Sequence, residues 1–133
     1  LDVNDEIVLD IGANIGDSAM YFCINGAKKV IAFEPYDYAY QKMVKNIAIN
    51  GFEGRVNAIK AGVSDKDSNV NVPSGFISST LAELENSSNG KSEVVPVYTL
   101  KTLFDKLEIQ DAVLKMDCEG CEYDCIITSL NDT

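Results

Sequence analysis

The run Ile7-Val8-Leu9-Asp10-Ile11-Gly12-Ala13-Asn14-Ile15-Gly16-Asp17 decides how the rest of the chain is read. Its first five residues are a short apolar stretch ending on glycine, which suits a strand buried on both faces. Beyond the turn, Ile15, Ala19, Phe22 and Cys23 recur at helical spacing until Asn25-Gly26 stops the helix. The passage from a first strand into a first helix is where doubly wound folds bind a nucleotide. Glycines there let the backbone turn tightly and approach a ligand that a Cβ would block.

The spacing narrows the ligand. A dinucleotide fingerprint is GxGxxG, whose middle glycine makes room for a pyrophosphate on the helix N-terminus. Here the glycines fall at 12 and 16, and Asn14 stands where that middle glycine would be. The resulting D-x-G-x-x-x-G suits a ligand with no pyrophosphate. Asp10 would be poorly placed beside a phosphate but well placed to orient an amine through neighbouring groups or water. A tight turn with no ligand is the competing reading for two glycines alone. A second acid weighs against it: Glu34 ends the next strand, near the offset at which such folds grip ribose hydroxyls, and Pro35 fixes the chain just beyond. A carboxylate has acceptor capacity for both hydroxyls of a ribose diol.

Working outward, Lys29-Val30-Ile31-Ala32-Phe33 reads as a second buried strand. Asp37 is the expected N-cap of a second helix, with Tyr40, Met43, Val44 and Ile47 on one stripe and Asn50-Gly51 at its end. Residues 55–61 read as a third strand. The β-α-β-α-β order predicts an α/β fold, a doubly wound and mostly parallel sheet. Residues 62–93 are rich in Ser, Asn, Asp and Gly, with strand-like pieces at 70–72 and 76–77 and a loop at 85–91, and read as a loop or hairpin insertion in one domain. In Val94-Val95-Pro96-Val97-Tyr98 the proline marks an edge strand. Thr99 caps a short helix with Leu100, Leu103, Phe104 and Leu107 on one face. Ala112-Val113-Leu114-Lys115-Met116 is a fourth buried strand ending at Asp117, and a last helix carries Tyr123, Ile126, Ile127 and Leu130.

Composition excludes much else. The 133 residues contain no histidine. That removes Ser-His-Asp and Cys-His nucleophile systems, HExxH metalloproteases and Cys/His zinc fingers, and leaves acid–base work to carboxylates, Lys, Tyr or Cys. Eleven Lys and Arg against 21 Asp and Glu give a net charge of −10. That field disfavours nucleic acid and anionic membrane as partners. No apolar run is long enough to span a bilayer and no basic leader opens the chain, so a cytoplasmic protein is expected. A chain beginning at Leu1 is expected to be a mature form or an excised piece.

These segments, taken in order, resemble the S-adenosylmethionine-dependent methyltransferases of Rossmann-like fold, and within them the FkbM-type family. The similarity runs through residues 8–17, Ile31-Ala32-Phe33-Glu34-Pro35, Asn46-Ile47 to Asn50, Ala61-Gly62-Val63-Ser64-Asp65 and Val97-Tyr98-Thr99-Leu100. It ends on Leu114-Lys115-Met116-Asp117-Cys118-Glu119-Gly120-Cys121-Glu122. The first segment is common to methyltransferases at large; the last is far more particular to the family. The resemblance implies that Asp10, Gly12, Ala13, Asn14 and Gly16 form a loop for S-adenosylmethionine. Asp17 then lies beside the cofactor's amino-acid moiety, Glu34 with Pro35 at the ribose, and Gly62, Val63 and Ser64 near the adenine. It places the methyl-transfer site at Asp117 and Glu119. The implied reaction is O-methylation of a hydroxyl on a small molecule or sugar. A cofactor-binding module without transferase activity is the alternative, and a nucleotide-dependent oxidoreductase a weaker one. An acid pair beside a helix N-terminus that only stabilises the macrodipole competes with the catalytic reading of Asp117 and Glu119.

Cys118, Cys121 and Cys125 have a spacing that in principle suits zinc or an iron–sulfur cluster. The order reverses the C-x3-C-x2-C run of radical enzymes using the same cofactor, and only distant Cys23 remains as a fourth ligand. The favoured reading is therefore small, semi-buried side chains with no metal. They are also too close together to form a disulfide framework that staples distant segments. The methyltransferase fold has seven strands and the sequence yields about four parallel ones, so the chain is expected to be truncated at its C-terminal side. Its fourth strand is then left with an open edge that further chain or a homo-oligomer would cover.

Overall fold

The computed structural model describes residues 2–74 and 92–118. Four parallel strands form its main sheet in the order β3-β2-β1-β7: β1 (Ile7–Ile11), β2 (Lys29–Phe33), β3 (Val56–Ile59) and β7 (Val113–Met116). Helices α1 (Asp17–Ile24) and α2 (Asp37–Ile49) make the first two crossovers. Side chains alternate across the sheet as a pleat requires. Val8, Val30 and Ala32 pack against Ala19, Phe22 and Cys23 of α1 and Met43 and Ile47 of α2 on one face. Leu9, Ile11, Ile31 and Phe33 point the other way, onto Leu100 and Leu103 of α3 (Leu100–Lys106) and onto Val63. The strands are apolar almost throughout because both faces are covered. At roughly 1.5–3 kcal/mol per fully buried large aliphatic or aromatic side chain, these two cores dominate the stability of the sheet.

A second sheet lies beside the first, in the order β4-β6-β5: β4 (Gly62–Val63), β5 (Ser68–Pro73) and β6 (Ser92–Tyr98). It corrects two expectations. Residues 55–61 do not form one strand; pairing ends at Ile59, and the chain steps across at Lys60 and Ala61 to start β4. β6 is the central strand of its sheet, not an edge. Pro96 is tolerated because β4 covers only Val97 and Tyr98, so at Pro96 itself β6 has, among the described residues, a neighbour on one side alone, Asn69 of β5.

Local capping also differs in detail. Asp37 is the first residue of α2, not its cap; Tyr36 holds the cap position in extended geometry without a side-chain bond. The Asp37 carboxylate is occupied instead by Lys60 at 2.9 Å, and that ammonium also holds Glu93 of β6 at 3.1 Å. Lys60, and after it Gln41, hold the Asp37 carboxyl below its ordinary value. Thr99 does cap α3, its hydroxyl accepting the Thr102 N–H at 3.1 Å. Asp67 accepts from the Thr102 hydroxyl at 2.6 Å and the Thr99 N–H at 2.7 Å, which lowers its pKa. Ile15 precedes α1 and is 40% exposed, so it does not belong to the buried stripe. Arg55 donates to the carbonyls of Cys23 and Ala27, satisfying acceptors at and beyond the end of α1. The strand piece at 76–77, the loop at 85–91 and the last helix lie outside the described residues.

Candidate functional site

The carboxyl ends of β2, β1 and β7 meet at the glycine turn. Gly12 and Ala13 both donate their N–H groups to the Phe33 carbonyl at 3.0 Å, tying the turn to β2. On the other side the Asp117 N–H donates to the Ile11 carbonyl at 2.9 Å, tying it to β7. Gly12 has φ +76°, and a Cβ there would lie 2.1 Å from the Asp117 carbonyl oxygen. Its glycine is therefore required by the approach of the protein's own backbone. Gly16, at φ +92°, caps α1, and a Cβ on it would press within 2.9 Å of Met43 Cγ. Asn14 also has positive φ, 53°, a conformation that asparagine tolerates better than most residues. From α2, Asn46 donates its side-chain amide to the Ile15 carbonyl at 2.9 Å. The turn is thus clamped by three strands and by α2.

Two carboxylates stand within this frame. Asp10 is fully buried; its Oδ2 accepts the Ser18 hydroxyl at 2.6 Å, and its Oδ1 lies 3.0 Å from the Lys115 ammonium. Oδ1 is a buried oxygen that accepts no well-aligned hydrogen bond among the described residues, so Lys115 acts on it through charge. Glu34 is 5% exposed. Its Oε2 accepts the Asn14 N–H at 2.9 Å and its Oε1 the Tyr36 N–H at 3.1 Å. Each oxygen of a carboxylate has two acceptor positions, so among the described residues one remains on each. Burial raises the Glu34 pKa; the two N–H bonds and the nearby Lys115 charge oppose that rise, and the Asp10 charge adds to it.

The remaining predicted residues are more dispersed. Asp17 opens α1 and is exposed. Pro35 lies beyond Glu34, with its Cβ 3.8 Å from where a Gly62 Cβ would stand, which brings β4 to the same end of the sheet. Val63 turns its side chain into the core, and Ser64 donates its N–H to the Tyr98 carbonyl at 2.9 Å. Asp117 is exposed at the end of β7. Glu119, Cys121 and Cys125 lie outside the described residues. Cys118 is half-buried and packs against the same core as Leu114 and Met116, in keeping with its reading as a small semi-buried side chain, and it is disulfide-bonded, so it is no free thiolate. Cys23 is free and buried; burial raises its thiol pKa against the opposing charge of Arg55. Among the described residues no three His, Cys, Asp or Glu are grouped to hold a metal ion. Likewise, no described helix is long and apolar enough to cross a membrane.

Ser18, Met43, Asn46 and Lys115 were not singled out as site residues from the sequence. For Lys115 the signal was present: a lysine in the otherwise apolar Val-Leu-Lys-Met and an aspartate in Ile-Val-Leu-Asp-Ile are two opposite charges in buried strands. Their pairing required the register Asp10↔Lys115.

A parallel sheet with a glycine turn after its first strand and a buried acid ending the second defines a Rossmann-like α/β fold. Comparison with known proteins carries this to a family. The methyltransferase FkbM domain profile matches residues 10–132. The solved methyltransferase FkbM of Methylobacillus flagellatus KT superposes with a TM-score of 0.59 at 19% identity, over 96% of this chain and 29% of that one. Uncharacterized protein 158B of Sulfolobus islandicus rod-shaped virus 1 is 29% identical over 122 residues, 92% of this chain and 52% of that protein. A tRNA(Phe) (4-demethylwyosine(37)-C(7)) aminocarboxypropyltransferase of Pyrococcus horikoshii is 39% identical over 54 residues, 41% of this chain and 19% of that protein. The chain belongs to the methyltransferase FkbM domain family. It spans about half the length of the viral relative and a smaller part of the other two.

Proposed function

We propose that the glycine turn and Glu34 bind S-adenosylmethionine and that the protein transfers its methyl group to a hydroxyl of a small molecule or sugar. The observation that carries this reading is Glu34 itself. It is a carboxylate held almost out of solvent by two backbone N–H groups, with one acceptor position left on each oxygen. Such a group is matched to a vicinal diol and mismatched to a phosphate. Asp10 supports this arrangement from within the protein, with Ser18 on one oxygen and the Lys115 ammonium 3.0 Å from the other.

The cofactor, when bound, supplies an electrophilic methyl on a sulfonium sulfur. The chain's own residues do the rest. Glu34 accepts the ribose hydroxyls, and the turn from Gly12 to Gly16 with Asp17 borders the amino-acid moiety. Pro35 stands beside Glu34 at the ribose, and Gly62 to Ser64 border the adenine. The Asp117 carboxylate orients the acceptor hydroxyl and takes its proton, with Glu119 as its partner in that role. Methyl transfer is an in-line displacement, so positioning supplies much of the rate, and a carboxylate suffices as the base. A net charge of −10 fits a small neutral or cationic acceptor better than nucleic acid. Further chain or a second copy would cover the flank of β7 that is open among the described residues.

Calorimetric titration with S-adenosylmethionine, S-adenosylhomocysteine and NAD tests the cofactor, and methyl release over a panel of hydroxylated acceptors tests the transfer. Binding of the two adenosyl ligands without NAD, followed by turnover on one acceptor, is the expected result. Binding without turnover on any acceptor favours a cofactor-binding module, and preference for NAD overturns the reading.

A further inference from the structure

Lys115 is a charged residue in a four-residue strand whose other members, Val113, Leu114 and Met116, all pack into the cores. Its place is set by register, since it is the partner of Asp10 on the neighbouring strand. From there the ammonium reaches 3.0 Å from Asp10 Oδ1 and donates to the Gly12 carbonyl at 3.3 Å. Its side chain is 26% exposed while that of Asp10 is fully buried, so the charged head lies where the sheet opens.

We propose that Lys115 is a positioning residue of the cofactor site, fastening the glycine turn to the end of β7 by bridging the Asp10 carboxylate and the Gly12 carbonyl. This rests on the cofactor reading above. The turn has two flanks. On the β2 side the Gly12 and Ala13 N–H groups are held by Phe33. On the β7 side the only side-chain bond to the Gly12 carbonyl among the described residues comes from Lys115. Two residues further on, Asn14 gives its N–H to Glu34. A turn that drifts from β7 therefore displaces the donor that fixes the carboxylate meant for the ribose.

A neutral donor would not serve in place of the lysine. A hydroxyl or amide could hold the Gly12 carbonyl but would leave a fully buried carboxylate without a countercharge, which proteins avoid. Charge also links Lys115 to Glu34 directly. The groups that act on the Glu34 carboxyl are the Tyr36 and Asn14 N–H donors, the Lys115 ammonium and the Asp10 carboxylate. Losing the ammonium removes an influence that keeps Glu34 ionised, so its titration moves to higher pH.

The test compares wild type, Lys115→Met, Lys115→Arg and the double variant Lys115→Met with Asp10→Asn. S-adenosylhomocysteine is titrated calorimetrically across a pH series, and thermal unfolding is recorded without ligand. Lys115→Met is expected to bind about 10- to 100-fold more weakly at neutral pH, the scale of one lost charge-assisted bond. The pH at which its binding is half lost is expected to lie above the wild-type value, and Lys115→Arg is expected to recover most of the affinity. The double variant removes both buried charges and serves even where Lys115→Met fails to fold. It is expected to regain melting temperature but not affinity. Wild-type affinity and pH midpoint in Lys115→Met, or recovery of affinity together with stability in the double variant, overturns the proposal. If wild type itself does not bind S-adenosylhomocysteine, the cofactor reading fails and this inference fails with it; if only the variants disagree, the cofactor reading stands.

Discussion

Two buried carboxylates end neighbouring strands, and they are used in opposite ways. Asp10 at the end of β1 is spent on the protein, with Ser18 on one oxygen and the Lys115 charge beside the other. Among the described residues, Glu34 at the end of β2 has no cation in contact, only two backbone N–H groups, and keeps acceptor capacity on both oxygens. A carboxylate with a countercharge is structural machinery. Glu34 is held by backbone dipoles while its burial raises its pKa against them, and in the proposed reading it is the carboxylate kept for a ligand. Residues of similar chemistry, one strand apart, are thus separated by what surrounds them.

The largest effect is expected where both carboxylates lose their common support. Gly12→Ala places a side chain against the Asp117 carbonyl in a left-handed conformation. It should destabilise the fold by at least about 3 kcal/mol in urea unfolding. An unchanged midpoint would mean that the turn and β7 do not meet as described.

Next, Glu34→Ala is expected to weaken S-adenosylhomocysteine binding about 100-fold, since it removes two hydrogen bonds to a charged acceptor. Its unfolding midpoint should move far less. Asp10→Asn should show the reverse emphasis. It leaves the Lys115 ammonium without its countercharge, and because that head is partly exposed the loss should be about 2 kcal/mol. Its affinity should fall less than that of Glu34→Ala. Equal effects of the two substitutions on stability and on binding would erase the distinction between them.

A pH series sharpens the same contrast. The folded protein holds the Glu34 proton more tightly than the unfolded chain does, so ligand-free stability should fall as pH rises from the ordinary glutamate value, about 4.3, through the value of Glu34. Affinity should rise over that window, because only the ionised group accepts both hydroxyls. Asp37 and Asp67, whose pKa values are lowered, contribute in the other direction, and that stability is lost as pH falls below the ordinary aspartate value. Glu34→Gln should abolish the rise in affinity. The smallest effect is expected far from the turn: Thr99→Ala, which removes the α3 cap, should cost about 1 kcal/mol and leave binding unchanged.

The contrast also shows what was legible in the sequence. β1, β2 and α2 announce themselves because a strand buried on both faces must be apolar throughout and a helix on one face must carry a stripe. The turn at Gly12 and the acid at Glu34 lie at chain positions the fold fixes. The second sheet was not legible in that way. β5 and β6 are half-exposed and far apart in sequence, so their pairing depends on tertiary contacts that no local period reports. Pro96 looks like an edge marker until the short reach of β4 is known. The role of Gly12 was legible only in part, since its Cβ is excluded by Asp117, a residue 105 positions away along the chain. Lys115 was hidden for the same reason: opposite charges in two strands become a pair only once the strands are aligned.

The central claim is that Glu34 is held for the ribose of an adenosyl cofactor without pyrophosphate. Calorimetric titration of wild type and Glu34→Ala with S-adenosylhomocysteine, and of wild type with NAD, tests it most directly. Saturable one-site binding of S-adenosylhomocysteine to wild type, weakened about 100-fold in the variant and absent for NAD, is the predicted result. Equal binding by the two proteins, or binding of NAD in preference, would contradict it.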